Sequence, residues 1–397
     1  MYGRGTGKSG LWIYGENLRA EDLKQGMPFV SDSGKLLSCL LQEIGLSERD
    51  VFITNVVRCR PLNDRAAYAT EYKACMQAHA TLDVPKDPPK LILLLGLLPL
   101  TSILDIKKIT ENRGIIFDCP MFNCKAMATY SLGKIAHDPN EWDTVKVDFQ
   151  KARDFVLDNP PEALPKNHVE LINSKERLLA WLQIMAEPFI TERACDLETY
   201  GVNFFRDDIS SMSITVEIDG EMHSIAFLTK PKPEHPGWWA ADLDDPEIHA
   251  AIQKVLDYPI TFHRGLFDVQ FLWFRRFNVN FDTDTMDQHL MINENTPHKL
   301  KYLVTVYNSE DAGYEQKLAE EDPDPARIGY LAPEILLPYN AKDTYHSLVL
   351  KKKFEPLVRA EGMQDFFHDI QMPLERCLTK MSYRGIKMDR RYHRSIE

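Results

Sequence analysis

Near-continuous apolar runs punctuate the first third of the chain: LWIYG (11–15), VFITNVV (51–57) and LILLLG (91–96). Runs this short and this rich in β-formers predict strands buried on both faces. Helically spaced apolar positions fill the intervals at 34–44 and 69–82, and a later strand, AMATYS (126–131), precedes a helix over 148–157. Strand and helix in alternation predict a parallel sheet covered by helices. The proline-rich NPPEALPKN (159–167) closes this unit.

Beyond it the pattern changes. A helix over 174–185 opens a second unit, followed by FITERACDLET (189–199) and two alternating strands, 209–218 and 222–228. Asp219-Gly220 between those strands is a hairpin signal. A loop rich in Pro, Trp and Asp (230–246) then leads to a helix, a strand at 259–263, a helix at 266–276 and further helices to the end. Strands first and helices afterwards predict a mixed sheet with helices packed on it. The fold class expected is α/β in both units.

A length of 397 residues leaves room for two or three domains, each with its own core. The longest apolar stretch, LILLLGLLPL (91–100), is about half the roughly 20 residues a membrane span requires. The N-terminus has no secretory signal pattern. Seven scattered cysteines argue for reduced thiols rather than a disulfide scaffold. The expectation is a cytoplasmic protein, of the host cytoplasm if viral, with no membrane partner. Residues 1–165 carry 20 Lys and Arg against 21 Asp and Glu, so nearly all of the net charge of −12 falls on the remainder. That imbalance disfavours general nucleic-acid binding, which rests on neutralising phosphates. It suits a site that needs clustered carboxylates for metal.

Such a cluster can be read from the second unit. Phosphodiester hydrolysis by two Mg²⁺ ions needs carboxylates converging from several elements. Asp196 and Glu198 stand two apart on a predicted strand and so share a face. Asp268 lies on the helix after the 259–263 strand, and Asp343 lies on a helix one turn beyond Tyr339. Such a tyrosine hydroxyl, with Glu198, could orient an attacking water. Each signal alone is weak, since a D-x-E on a strand is more often a solvated face. Their order and spacing together give the pattern its weight.

In that order the residues resemble the proofreading exonuclease of family A DNA polymerases, the tyrosine form of the DEDD superfamily. CDLET (195–199) matches its first motif, HRGLFDVQFL (263–272) its second and YNAKDTYHSL (339–348) its third. DTMDQHLM (284–291) and HKLKYL (298–303) are similar to the stretch between the second and third. The resemblance covers roughly 165–358 and implies a ribonuclease H-like domain. Asp196, Glu198, Asp268 and Asp343 would hold two ions, Mg²⁺ or Mn²⁺, with Tyr339 assisting. The family has Asn where this chain has Arg264, which leaves the four carboxylates intact. MPLERCLTKMSYRGIKMD (372–389) resembles the start of the polymerase region, so 359–397 is expected to be the truncated beginning of one.

Residues 11–131 resemble the iron–sulfur type of uracil-DNA glycosylase, through YGENLRAEDLKQGMPFVSDSGKLL (14–37) and ITNVVRCRP (53–61). The resemblance implies a uracil pocket in which Phe29 stacks on the base and Asn55 hydrogen-bonds it, with Glu16 beside them. As plain structure, Phe29 and Asn55 would pack and bond within a retained fold. The family's GEAPG stands here as GENLR (15–19), and its His-Pro-Ser motif aligns with Ser131-Leu132-Gly133. Without that histidine, excision is not expected. Cys59 and Cys75 match two of four cluster ligands, and two thiolates cannot complete an iron–sulfur site. Either the cluster is lost or further ligands lie upstream; as free thiols the two would be buried. RGTGKSG (4–10) is similar to a phosphate-binding loop, but its strand comes after it, so a mobile glycine-rich terminus is expected instead.

The expected protein is therefore a parallel-sheet glycosylase-like domain (1–160), then a 3′–5′ exonuclease domain (161–358), acting on single-stranded DNA 3′ ends. Its partner would be a polymerase region in the same or a separate chain. The competing readings are an RNA-processing exonuclease of the same superfamily and a non-catalytic DNA-binding or assembly module.

Overall fold

The apolar runs of the first third become the centre of a five-stranded sheet. In the computed structural model, which describes residues 1–62, 65–79, 87–139, 141–160, 163–314 and 325–387, contacts divide the chain into two units. One is Met1–Ala163 with Asn295–Pro297 and Asn308–Gly313; the other is Leu164–Glu294 with His298–Tyr307 and Tyr314–Glu397.

The first unit contains β1 (Leu11–Asn17), β2 (Phe52–Val57), β3 (Leu91–Leu95), β4 (Ile116–Cys119) and β5 (Cys124–Thr129), in the order β2-β1-β3-β5-β4. β2 and β3 are buried along their whole length. Alternate residues serve opposite layers: Leu11, Ile13 and Leu93 pack with Phe149 on one side, Trp12, Tyr14 and Ile92 with Leu100 on the other. That two-sided burial is why the runs read as continuous. The sheet is not wholly parallel, because β4 pairs antiparallel with β5 at the edge. Its four residues, IFDC, are too short and too polar to stand out as a strand. The helix expected at 148–157 begins earlier and spans Glu141–Val156, its first turn diluted by Glu141 and Asp143. The helix expected at 69–82 spans Ala69–His79, and positions 80–82 fall outside the described residues.

The glycine-rich terminus is fixed rather than mobile. Arg4 and Ile53 exchange two backbone hydrogen bonds, of 2.9 and 2.8 Å. Gly5 has φ of +88° and lies so close to the Val51 carbonyl that a Cβ would stand 1.8 Å from it. Only glycine fits there.

The second unit begins with a strand, not a helix: β6 (Asn167–Leu171) follows the proline-rich stretch directly. β7 (Arg193–Thr199), β8 (Ile209–Ile218), β9 (Glu221–Leu228), β10 (Ile260–Phe262) and β11 (Phe281–Asp284) complete a sheet ordered β11-β10-β7-β8-β9-β6. β7, β8 and β9 run antiparallel, while β10 and β11 add in parallel beside β7. This is the ribonuclease H-like arrangement, extended by β6 on β9. Asp219 and Gly220 both have positive φ (52° and 83°), as a two-residue type I′ hairpin turn demands.

β8 explains how the sheet receives its last layer. Met212, Ile214 and Val216 enter the main core with Phe227 and Phe262. The alternate residues Ser211, Ser213 and Thr215 are equally buried but face the long helix Pro333–Ala360. Ser213 Oγ donates to the Asn340 carbonyl at 2.8 Å, and Thr215 Oγ1 to Thr344 Oγ1 at 2.7 Å. No described helix is long and apolar enough to cross a membrane.

Candidate active site

Cys195 and Leu197 of β7 enter the main core. Alternation therefore turns Asp196 and Glu198 to the opposite face, under the helix Pro333–Ala360. That helix delivers Asp343, and one ligand oxygen from each of Asp196, Glu198 and Asp343 lies within 4.8 Å of the others. Asp268 is not in that triplet. Its Oδ1 instead accepts the Leu197 N–H at 3.1 Å. It nonetheless feels Asp343 electrostatically, and Asp196 feels it. Tyr339 stands one turn before Asp343, its ring 6.0 Å from and nearly parallel to that of Tyr314.

Burial dominates the electrostatics. The Asp268 carboxyl is pushed up to about 8, chiefly by desolvation and then by Asp284 and Asp343. Asp196 is raised well above the usual carboxylate range by burial and by Asp268. Like charges desolvated together favour either a shared proton or a cation. An all-oxygen donor set of this kind suits hard ions such as Mg²⁺.

Three residues that sequence reasoning did not assign shape this centre. Asn340 is fully buried and donates Nδ2–H to Asp196 Oδ2 at 2.6 Å, while its own Oδ1 accepts from Ser211 Oγ at 3.2 Å. Its place beside Tyr339 in YNAKD was the available signal. Tyr314 donates its hydroxyl to Asp343 Oδ1, and nothing in the sequence marks it. Asp284 accepts from the backbone N–H groups of Arg264 (3.0 Å) and Gly265 (2.7 Å), and also caps the following helix at Met286 N. It thereby holds the turn that launches the helix Leu266–Phe274 and its Asp268. In that turn Arg264 has φ of +64°, a region where Asn is far more at ease than Arg.

The first unit contains a cavity of about 250 Å³ lined by Glu16, Phe29, Asn55 and Ser131 among others. Phe29 and Asn55 both lie against Gly15: a Cβ there would stand 2.3 Å from the Phe29 ring and 2.4 Å from Asn55 Oδ1. Glu16 is raised above its ordinary value, first by burial. The three residues expected to form a base pocket thus share one cavity. The two cysteines are not buried as expected: Cys59 is exposed and Cys75 half-buried, its Sγ accepting the Arg58 N–H at 3.2 Å.

Residues 2–170 match the family model described as the uracil DNA glycosylase superfamily. The chain is 34% identical over 161 residues to the type-4 uracil-DNA glycosylase of Thermotoga maritima, covering 39% of this chain and 82% of that protein. It is 30% identical over 166 residues to the type-4 enzyme of Saccharolobus solfataricus, covering 40% and 76%. Among solved structures, NrnC of Brucella melitensis with bound Mg²⁺ shares 18% identity across 57% of this chain and 98% of its own, at a TM-score of 0.36. Escherichia coli RNase D, an exoribonuclease involved in structured RNA processing, shares 14% across 55% and 52%, at 0.35. Likenesses at that level say nothing of activity.

Proposed function

The chain belongs to the uracil-DNA glycosylase superfamily through its residues 2–170, and from that premise we propose that it is a DNA-directed protein whose second unit is a two-metal 3′–5′ exonuclease. The observation that carries this reading is the convergence of Asp196, Glu198 and Asp343 within 4.8 Å, on a ribonuclease H-like sheet with Asp268 beside them. Asp196, Glu198, Asp268 and Asp343 would hold two ions, Mg²⁺ or Mn²⁺. Once bound, such ions lower the pKa of an attacking water and stabilise the leaving oxygen. The chain's own residues do the rest. Asn340 fixes the orientation of Asp196, Tyr314 that of Asp343, and Asp284 the turn before Asp268. Glu198 and Tyr339 would orient the water for in-line attack, releasing a deoxynucleoside 5′-monophosphate from the 3′ end.

DNA is preferred over RNA because a unit of the uracil-DNA glycosylase superfamily shares the chain. The reading extends to proofreading beside a polymerase region, in this or a separate chain, on the resemblance of 372–389; of that stretch, 388–389 lie outside the described residues. For the first unit we read base binding without excision. Phe29 and Asn55 retain a pocket, while Ser131 lines it where the resemblance expects histidine. Cys59 and Cys75 supply two of the four cluster ligands that the resemblance implies, so a cluster here would need two further ligands.

The test is Mg²⁺-dependent digestion of 3′-labelled and 5′-labelled single-stranded DNA beside the Asp196→Ala variant. Immediate mononucleotide release from the 3′ label, abolished in the variant, is the expected result. Undiminished cleavage by the variant would sink the site. A clear preference for a matched RNA strand would favour the RNA-processing reading. Failure to bind divalent ions at all would leave a DNA-binding or assembly module.

A further inference from the structure

At the opposite edge of the second unit's sheet from β11, β6 and β9 run in parallel with His168 directly across from His223. Glu221 precedes His223 by two residues, so both project from the same face. The imidazole rings stack, with centroids 4.8 Å apart and planes 19° from parallel. His168 Nε2 and Glu221 Oε2 are 2.6 Å apart. One ligand atom from each of the three residues lies within 4.8 Å of the other two.

We propose that His168, Glu221 and His223 form a second metal site, for a borderline transition ion of the Zn²⁺, Ni²⁺ and Cu²⁺ class, separate from the carboxylate centre. Two imidazole nitrogens and one carboxylate oxygen make a donor set suited to these ions and poorly suited to Mg²⁺. Zn²⁺ takes such donors at about 2.0–2.2 Å, which sets them roughly 3–3.5 Å from one another. The strand register holds one ligand atom from each group within 4.8 Å of the others, so loading draws them closer together. The carboxylate would exchange its contact with His168 for one with the ion. Three protein ligands leave a fourth position open to water.

The surroundings agree. Burial, and then the neighbouring His168, hold the His223 imidazole below its usual range. Trp181 lies 5.9 Å from the His223 ring and shields one side. The only competing cation recorded at the triad among the described residues is Lys166, 3.9 Å from Glu221 Oε1 and well exposed. β6 is an edge strand, and an ion bridging it to β9 would staple that edge in place.

The experiment is calorimetric titration with ZnCl₂ in the presence of saturating Mg²⁺, on wild type and on Asp196→Asn, His168→Gln and His223→Gln. One Zn²⁺ per chain is expected, retained in Asp196→Asn and weakened at least tenfold in each histidine variant. Cu²⁺ loaded in its place should show two coupled nitrogens in its EPR spectrum. Zn²⁺ should raise the melting temperature of wild type but not of His168→Gln, whose half-exposed position spares the fold if His223→Gln misfolds. Unchanged affinity in His168→Gln, loss of binding in Asp196→Asn, or a copper spectrum with fewer than two nitrogens would overturn the proposal.

Discussion

Asn340 donates its side-chain N–H to Asp196 Oδ2 at 2.6 Å, tying β7 to the helix that carries Asp343. The amide is fully buried and its oxygen is taken by Ser211, so it cannot swing away. It acts on chemistry only through the carboxylate it orients.

Replacing Asn340 with Ala should therefore weaken divalent-ion binding by about 10–100-fold, the usual effect of losing a group that orients a ligand. Mn²⁺ titration followed by EPR reads this directly. In digestion assays kcat should fall with little change in KM for the strand. A variant with unaltered Mn²⁺ affinity would reduce Asn340 to a packing residue.

Arg264 sits at φ of +64° with its backbone N–H held by Asp284. Left-handed backbone costs an ordinary residue roughly 1–2 kcal/mol, and Asn much less. Arg264→Asn should raise stability by on the order of 1 kcal/mol, measured by urea unfolding. No gain would mean that the arginine side chain compensates for its own strain.

Metal removal should expose a pH dependence. In the absence of ions the Asp268 carboxyl is held at about 8, against an ordinary value near ~4. The folded protein then keeps a proton that the unfolded chain releases. Its contribution to stability is full below about pH 4 and is lost as pH rises through about 8. Melting temperature in EDTA should fall across that window, and saturating Mg²⁺ should flatten the slope. Parallel curves with and without Mg²⁺ would contradict the assignment of Asp268 to the ion site.

In the first unit, Gly15→Ala would drive a methyl into Phe29 and Asn55. Overpacking of this kind costs about 1–3 kcal/mol, and the cavity should lose any affinity for uracil-containing single strands, seen by fluorescence anisotropy. Wild type should bind such strands and release no free uracil. Measurable uracil release would show that Ser131 does not disable the pocket.

The buried pair Arg113–Asp148, joined at 2.8 and 3.1 Å with Thr129 Oγ1 as a third partner at 2.6 Å, should be the first unit's most sensitive polar contact. Asp148→Ala leaves a guanidinium without its counter-charge, at a cost of about 3–5 kcal/mol. Differential scanning calorimetry should show the loss.

Much of this was legible in the residues, and the gaps have physical reasons. LILLL and FITNVV announce themselves because burial on both faces favours apolar residues throughout, with Thr54 and Asn55 as the two polar exceptions. ISSMSITVEI reads as a half-solvated strand, yet its hydroxyl face is as buried as its apolar one, against a helix that answers in kind. β4, β6 and β11 leave no signal in the sequence because four or five mixed residues carry no period. Asp196, Glu198 and Asp343 could be named because their order, spacing and motif context resemble a known exonuclease pattern. Asp268's bond to the Leu197 backbone, and Tyr314's to Asp343, are tertiary facts with no local trace. The terminus at 4–10 reads as mobile yet is fixed, because glycine signals close approach as readily as freedom.

The hydroxyls of β8 have a further effect. A helix resting on leucines can slide along its axis at modest cost, since one apolar contact replaces another. The helix Pro333–Ala360 is instead keyed to its sheet by Ser213 on the Asn340 carbonyl and Thr215 on Thr344, and any displacement breaks these bonds together. A shift of one turn would carry Asp343 about 5.4 Å along the axis, out of reach of Asp196. The spacing of the acidic groups is thus gauged by neutral side chains a few ångströms away, like a ruler fastened at its far end. Substitutions such as Thr215→Val could then detune hydrolysis while leaving every acidic residue in the sequence.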